Sequence, residues 1–469
     1  MVIAASIPEN AVYELTPVDG NPSSRANLQF VLFFQTNGNK RSAASQSMRD
    51  AYYQVLSHYP ILYGQLERKV DEQLGNTKVQ VFVSQETHST CMPSYTEFDV
   101  DELVSDIQEA NYNWATWPQP LLSICPVRRP STDQKPDDPL AQCVVTWHAD
   151  GMGLLISVDH SIADGVGIDI LLNQWAGATR AALSSNNTEP KTLELPVDFD
   201  HASLYKELCR EKPQKDWFVE YVDSVDLAQA PTEIGAIMDS DTRSPASVEL
   251  ALRAHVHSLR ILPAALHKLY ADMHSTATTR HVPVIRLVYA LMWQCFAEAA
   301  SLDAQPNVPC FLNVIHSARK LVNRPHYIGN AVCPMYMRQT TAQLRTASTR
   351  QLAQTIGDNM HAISGPHWLA TLLMLQDSER YAKFLTVFAN PHAKQLTVSN
   401  ISRLRFFSVD FGWGAPIHAT VYPMLIPGFA TWLPLCASGG LHILWNMPDS
   451  VAERLKNDPR FTRYIEFLF

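Results

Sequence analysis

Hydrophobic positions along this chain fall into short runs that switch between a period of two and a helical period. Leu28, Phe30, Leu32 and Phe34 share one face of a predicted strand, and Val31 and Phe33 lie on the other, so both faces should be covered. Met48 to Tyr59 has helical spacing and should stop at Pro60, whose ring and missing N–H end a helix. Pro120 to Cys125, Gln142 to Trp147 and Leu154 to Val158 read as strands, with the turn Ala149-Asp150-Gly151-Met152-Gly153 leading into the last. From Gly165 on, Val166, Ile170, Leu171 and Trp175 recur on one helix face.

Further along, Pro263 opens a helix predicted to reach Met273, and Pro283 opens another predicted to reach Ala299. Helical spacing returns from Leu344 to Ile363 and from Trp368 to Leu375. Strands are predicted at Gln395–Val398, Ala419–Tyr422 and Leu441–Asn446. Between the two sets lies a polar stretch that starts at Ser184-Ser185-Asn186-Asn187 and reaches Ser247; it reads as a long, irregular surface connection. The expected organisation is an N-terminal domain over 1–184, a crossover linker over 185–247 and a C-terminal domain over 248–469. No period of 20–50 residues repeats. Strands and helices alternate in both halves, which predicts α/β layers, and no Gly-rich phosphate loop follows a strand.

Size and charge narrow the field. A chain of 469 residues exceeds one ordinary core, and 46% hydrophobic with 18% charged residues is a globular composition. No apolar run approaches the roughly 18–20 residues that cross a bilayer, so no membrane partner is expected. A net charge of −9 lacks the broad basic face that nucleic-acid binding needs, although a local cluster could still meet a small anion. The eight cysteines include no C-x-x-C pair, and most sit in apolar runs as small core residues. The N-terminal MVIAASIPENAVYE has no basic n-region, so a reduced, cytoplasmic protein is expected. No clustered His, Asp or Glu set calls for a metal.

Chemistry concentrates in Ser157-Val158-Asp159-His160-Ser161-Ile162-Ala163-Asp164-Gly165-Val166-Gly167. A histidine after a buried strand, with an aspartate four residues on, suits general-base catalysis, because imidazole titrates near pH ~6.5 and is available neutral. The carboxylate could hold the ring or brace the loop, and Gly165 and Gly167 permit a close turn. Chance supplies about one H-x-x-x-D in a chain with 17 histidines, so the flanking strand, glycine and helix carry the information. The plainer alternatives are a core histidine and Asp164 as a helix N-cap. A second segment, Asp410-Phe411-Gly412-Trp413-Gly414-Ala415-Pro416, places two glycines around two aromatics and an acid. It could offer an indole donor and an anchoring carboxylate, or be a packed structural loop.

Together HxxxDG and DFGWG resemble the BAHD acyl-CoA-dependent acyltransferase family. Tyr59-Pro60-Ile61-Leu62-Tyr63-Gly64-Gln65-Leu66 is similar to its YPxAGRL segment, Ala290-Leu291-Met292-Trp293 to its AHLW helix and Tyr327-Ile328-Gly329-Asn330 to its YFGN stretch. Order and spacing agree along most of the chain. The resemblance implies two similar chloramphenicol-acetyltransferase-like α/β domains with mixed sheets and covering helices, and an active-site channel at their interface. It also implies transfer of an acyl group from acyl-CoA, as co-substrate, to a hydroxyl or amine of a small-molecule acceptor by a monomer with no permanently bound cofactor.

In that scheme His160 is the base, a tetrahedral intermediate forms, and no covalent acyl-enzyme is needed. Asp164 structures the loop by pairing with a basic side chain. Gly165, Asp410, Gly412 and Gly414 are structural, with Asp410 expected to face Arg319. Trp413 and Ser399 are the oxyanion candidates, and Arg319, Lys320 and Arg324 the candidate cluster for the CoA phosphates. Two departures stand out. His316-Ser317-Ala318-Arg319 replaces an acidic–Gly–Arg–x–Arg run, and Ile401 replaces a tryptophan two residues after the Ser399 position. The alternative functions are a condensation-type enzyme that uses a carrier-protein thioester and a non-catalytic binding protein of the same fold.

Overall fold

Strands of the described residues form three sheets, and two of them build the body of the molecule. The computed structural model describes residues 10–16, 19, 27–36, 41–70, 77–122, 138–184, 198–210, 212–213, 217–224, 255–274, 281–301, 308–376, 380, 383, 394–422, 428–435 and 439–469. The first main sheet has five strands in the order His418–Val421, Asn27–Gln35, Gly151–Asp159, Ala141–Trp147 and Ser94–Asp99, antiparallel except for the last pair. Both faces of Asn27–Gln35 are covered, as its sequence demands. Phe30, Leu32 and Phe34 pack into a core with the helices Arg41–Leu56 and Gly165–Ser184, while Val31 and Phe33 meet Val104, Ile107, Trp117 and Leu121. Each of these large side chains contributes about 1.5–3 kcal/mol by leaving water.

The second main sheet has seven strands, in the order Val332–Thr340, Pro309–Ser317, Lys394–Asn400, Phe429–Pro434, Leu441–Met447, His255–Ile261 and Glu466–Phe467. One face lies against the helix Val284–Ala299, which is apolar nearly all round and correspondingly buried. The other face looks toward the first sheet. Leu433 and Leu444 join the first sheet's core, and the rings of His418 and His442 lie 5.6 Å apart across the seam. The segment His418–Val421 leaves the C-terminal half altogether and pairs antiparallel with Phe30–Phe33. A small third sheet joins Asn10–Glu14, Thr77–Ser84 and Gln65–Val70.

Most predicted elements are present, with instructive shifts. Pro120–Leu122 is helical rather than extended, within Gln119–Leu122; Pro120 sits in the first turn, where its missing N–H costs nothing, and Leu121 and Leu122 pack under the sheet. Residues 123–125 lie outside the described residues. The stretch from Leu344 to Ile363 is two helices, Thr341–Thr346 and Thr349–Ala362, each opened by a reciprocal capping box from Thr340 with Gln343 and from Ser348 with Gln351. The crossover expected to be irregular contains the helices His201–Leu208 and Trp217–Asp223 among its described residues. Each buries an i, i+4 pair, Leu204 with Leu208 and Phe218 with Val222. Cys91, Cys143, Cys295, Cys310 and Cys333 are buried, Cys209 is exposed, and Cys125 and Cys436 lie outside the described residues.

Candidate active site

His160 is the first residue past the strand Gly151–Asp159, all of which is buried, and its own side chain is half-buried. The chain then turns tightly. The Ser161 N–H donates to Asp159 Oδ1 at 2.8 Å and the Ile162 N–H to the Asp159 carbonyl at 2.9 Å. Asp164 caps the following helix, accepting from the Gly167 N–H at 2.9 Å. Gly167 has to be glycine, because a Cβ there would run into the Ile328 carbonyl. The loop and the Tyr327–Asn330 segment are thereby pressed together.

Asp164 does more than cap. Its two oxygens accept from Arg319 Nη1 at 2.8 Å and Nη2 at 2.7 Å, and the Ala331 N–H adds a bond at 3.1 Å. Arg319 also donates from Nε to the Tyr327 carbonyl at 2.7 Å, from Nη2 to the Gly329 carbonyl at 2.9 Å and from Nη1 to Ser317 Oγ at 3.3 Å. Both ions are buried, and this bidentate, fully bonded geometry is what offsets their desolvation. The assignment of Arg319 to the CoA phosphates is therefore corrected, since no phosphate reaches a guanidinium sealed behind Asp164. Arg324 is engaged too, with Asp198 and the Asp200 carbonyl of the crossover, whereas Lys320 is exposed. The three cations do not form an open cluster.

Asp410 does not face Arg319. Its Oδ1 accepts from the N–H groups of Gly412 at 2.8 Å and Gly414 at 2.9 Å. Burial works against its charge, but these two N–H groups, with Arg180 nearby, hold the carboxyl below its ordinary range. Gly412 and Gly414 have φ of +116° and +108°, a region that side chains other than glycine enter only with strain. The loop lies against Arg180 and Leu183, which follow Gly165 on the same helix by 15 and 18 residues. At 1.5 Å per residue that is about 22 and 27 Å from the His160 end. Trp413 stacks on Phe411, which packs edge-on against Trp175. Trp413 is therefore no oxyanion donor: it serves the far end of the helix.

Ser399, by contrast, lies on the strand that leads to the histidine loop. It sits near the end of Lys394–Asn400, two residues before Ile401, whose Cγ2 lies 3.4 Å from the Cβ position of Gly165. Sequence reasoning missed a third contribution. Asn330 Nδ2 donates to the His160 carbonyl and, at 2.9 Å, to Asp19 Oδ1. Asp19 is buried, accepts from the Thr16 N–H at 2.7 Å and faces His201 Nδ1 at 3.1 Å, while the Tyr327 hydroxyl lies 2.9 Å from the same nitrogen. The Tyr-x-Gly-Asn stretch was the available signal; Asp19 and His201 had none. His160 Nδ1 is buried and has no hydrogen-bond partner among the described residues.

A half-buried histidine fixed by its backbone, beside a carboxylate spent on structure, stands on two facing mixed sheets, the chloramphenicol-acetyltransferase-like fold. Residues 1–426 match the Transferase family. Salutaridinol 7-O-acetyltransferase of Papaver somniferum is 22% identical over 303 residues, 59% of this chain and 59% of that enzyme, so the chain matches less than two thirds of its length. Acyltransferase easC of Emericella nidulans is 24% identical over 373 residues, 77% of this chain and 75% of that protein. The crystal structure of F. graminearum TRI101 with coenzyme A and T-2 mycotoxin is similar with a TM-score of 0.75 at 17% identity, over 98% of this chain and 100% of that one. The chain belongs to this transferase family, the BAHD acyltransferases.

Proposed function

We propose that the protein moves an acyl group from a CoA thioester to a hydroxyl or amine of a small-molecule acceptor, with His160 as general base. The observation that carries this reading is the placement of His160: its backbone is fixed through Asn330, and its ring is not tied to Asp164. The acceptor O–H or N–H attacks the thioester carbonyl as its proton passes to the imidazole. The resulting tetrahedral oxyanion collapses, the C–S bond breaks, and the CoA thiolate takes the proton from the imidazolium. A thioester is already activated, so no acyl-enzyme is required. The thiols fit that account: burial pushes Cys143 well above its ordinary range, which disfavours a nucleophilic thiolate.

Asp164 has both oxygens committed to Arg319, Gly167 and Ala331, and so acts as a brace rather than a relay. Ser399, on the strand whose continuation Ile401 meets Gly165, is the proposed oxyanion donor. The similar TRI101 structure holds coenzyme A with a small-molecule mycotoxin, in keeping with a CoA donor here. In this reading the enzyme works in the cytoplasm as a monomer. A panel of acyl-CoAs against alcohols and amines, read by thiol release, tests the reading. Release that depends on the acceptor is expected; none from any free acyl-CoA overturns it in favour of a carrier-bound donor or a binding role.

A further inference from the structure

Four side chains behind the histidine loop form a buried polar cluster drawn from three parts of the chain. Relative exposure is 0% for Asp19 and Tyr327, 1% for Asn330 and 2% for His201. Asp19 belongs to the N-terminal half, His201 opens the crossover helix His201–Leu208, and Tyr327 and Asn330 lie on the connection from Pro309–Ser317 to Val332–Thr340. Among the described residues no lysine or arginine pairs with Asp19. A carboxylate only accepts, so its neighbours must all donate: the Thr16 N–H and His201 Nδ1 to Oδ2, and Asn330 Nδ2 to Oδ1. A charge buried with hydrogen bonds alone is costly, which asks what the cluster is for.

The row Tyr327, His201, Asp19 is not a second acid–base centre. The Tyr327 hydroxyl and Asp19 Oδ2 both face the same ring nitrogen, Nδ1, at 2.9 and 3.1 Å, while Nε2 is buried without a hydrogen-bond partner among the described residues. A proton relay uses both nitrogens of the ring. What the row does is hold Asp19 by Oδ2 and leave Oδ1 to Asn330.

Asn330 carries the effect to the reactive centre. Its Nδ2 has two hydrogens, one for Asp19 Oδ1 and one for the His160 carbonyl. An amide flipped end for end would set its oxygen against both acceptors, so Asp19 decides which way Asn330 faces. The Ile162 and Ala163 N–H groups go to the Asp159 carbonyl, which leaves the His160 carbonyl to Asn330. The crossover grips the same segment from its other side. The Ile328 N–H donates to the Asp198 carbonyl at 2.9 Å, Arg324 pairs with Asp198, and a Cβ at Gly329 would overlap the Tyr327 hydroxyl and the His201 ring.

Resting on the acyltransferase reading above, we infer that Asp19 and His201 are positioning residues for His160. Through Asn330 they fix the His160–Ser161 peptide, and with it the direction in which the His160 side chain leaves the backbone. The bonds of Asp19 and His201 reach the His160 backbone and not its ring, so they act on orientation rather than on thioester binding. A reacting group displaced by about 1 Å loses on the order of 10² in rate, so the crossover acts on catalysis from outside the site.

The test uses the full chain and bromoacetyl-CoA, a thioester whose α-carbon is open to displacement. The His160 imidazole forms an N–C bond there, bromide leaves, and the ring N–H proton passes to solvent. Adduct at His160, located by peptide mass, gives kinact and KI. Asp19→Asn, which turns an NH2 group against a donor, and Asn330→Leu should each lower kinact about tenfold or more with KI within about twofold, and His201→Phe about threefold. Misfolded protein lowers the yield of adduct but not this first-order constant. Exchanging the pair, Asp19→Asn with Asn330→Asp, keeps their mutual bond and the charge but sets a carboxylate oxygen against the His160 carbonyl, so it should stay as slow as Asn330→Leu. In protein with ¹³C-labelled histidine, the His160 Cε1–H signal, assigned with His160→Ala, should shift or broaden in Asp19→Asn. An unmoved signal or an unchanged kinact in Asp19→Asn overturns the inference, as does a fully restored rate in the exchange. No adduct at His160 in the unaltered chain, with the signal still moved by Asp19→Asn, would instead remove the thioester reading and leave the positioning role standing.

Discussion

The two loops that carry the sequence signatures sit at opposite ends of one helix and are built in opposite ways. The His160–Asp164 loop is held from outside, by Arg319, Ala331, Asn330 and, through Asn330, Asp19. The Asp410–Gly414 loop is held mainly from within, its carboxylate bonding to two of its own N–H groups, and Arg180 secures it to the helix. The first is mostly buried and pinned by segments distant in sequence; the second sinks Phe411 into the core and exposes Gly412 and Gly414. A signature motif can therefore mark chemistry at one end of an element and packing at the other, and only the long-range partners tell the two apart.

Substitutions should separate the two ends. The largest contrast is His160→Ala against Trp413→Phe. The first should lower kcat/KM by ~10²–10⁴ with little change in melting temperature. The second should change kcat/KM by less than about threefold, because its ring lies far from the reacting atoms. Comparable losses in steady-state assays of both would erase the distinction. Next comes Arg319→Met, which strands the buried Asp164 carboxylate and should cost about 3–5 kcal/mol in urea unfolding. Pairing it with Asp164→Leu should recover part of that loss, a recovery that a surface ion pair would not give.

Gly414→Ala should cost about 1–2 kcal/mol, because its positive φ resists a side chain, while the kcat/KM of the folded fraction holds steady. The smallest effect is in acid. The Asp410 carboxyl is held below its unfolded value, so the stability it contributes is present above that value and is lost as pH falls below about 4. The group is mostly exposed, so the loss should stay under about 1 kcal/mol. It should appear as lower protection factors, relative to intrinsic exchange, at the Gly412 and Gly414 amides in acid, a pH dependence that Asp410→Asn removes.

Local pattern foretold what local forces decide. The doubly covered strand at Asn27–Gln35, the helix after Gly165 and its start at Asp164 all follow from periodicity and capping. Partner choice did not follow. With one arginine in place of two, Arg319 had two carboxylates to choose from, and Asp164 takes it because Gly167 lets the loop close on Tyr327–Asn330. Asp19 lies 311 residues from Asn330, a separation that no window of sequence spans. The crossover helices are only eight and seven residues long, about two turns each, too short for a helical period to register.

The strand His418–Val421 interlocks the halves. Severed between residues 247 and 248, the N-terminal piece would keep Asn27–Gln35 as a bare edge, with Phe30 to Phe33 deprived of their hydrogen-bonded neighbour. The seam is thus laced shut by the polypeptide itself. Swinging the two main sheets apart would first have to unzip the four residue pairs that join His418–Val421 to Phe30–Phe33.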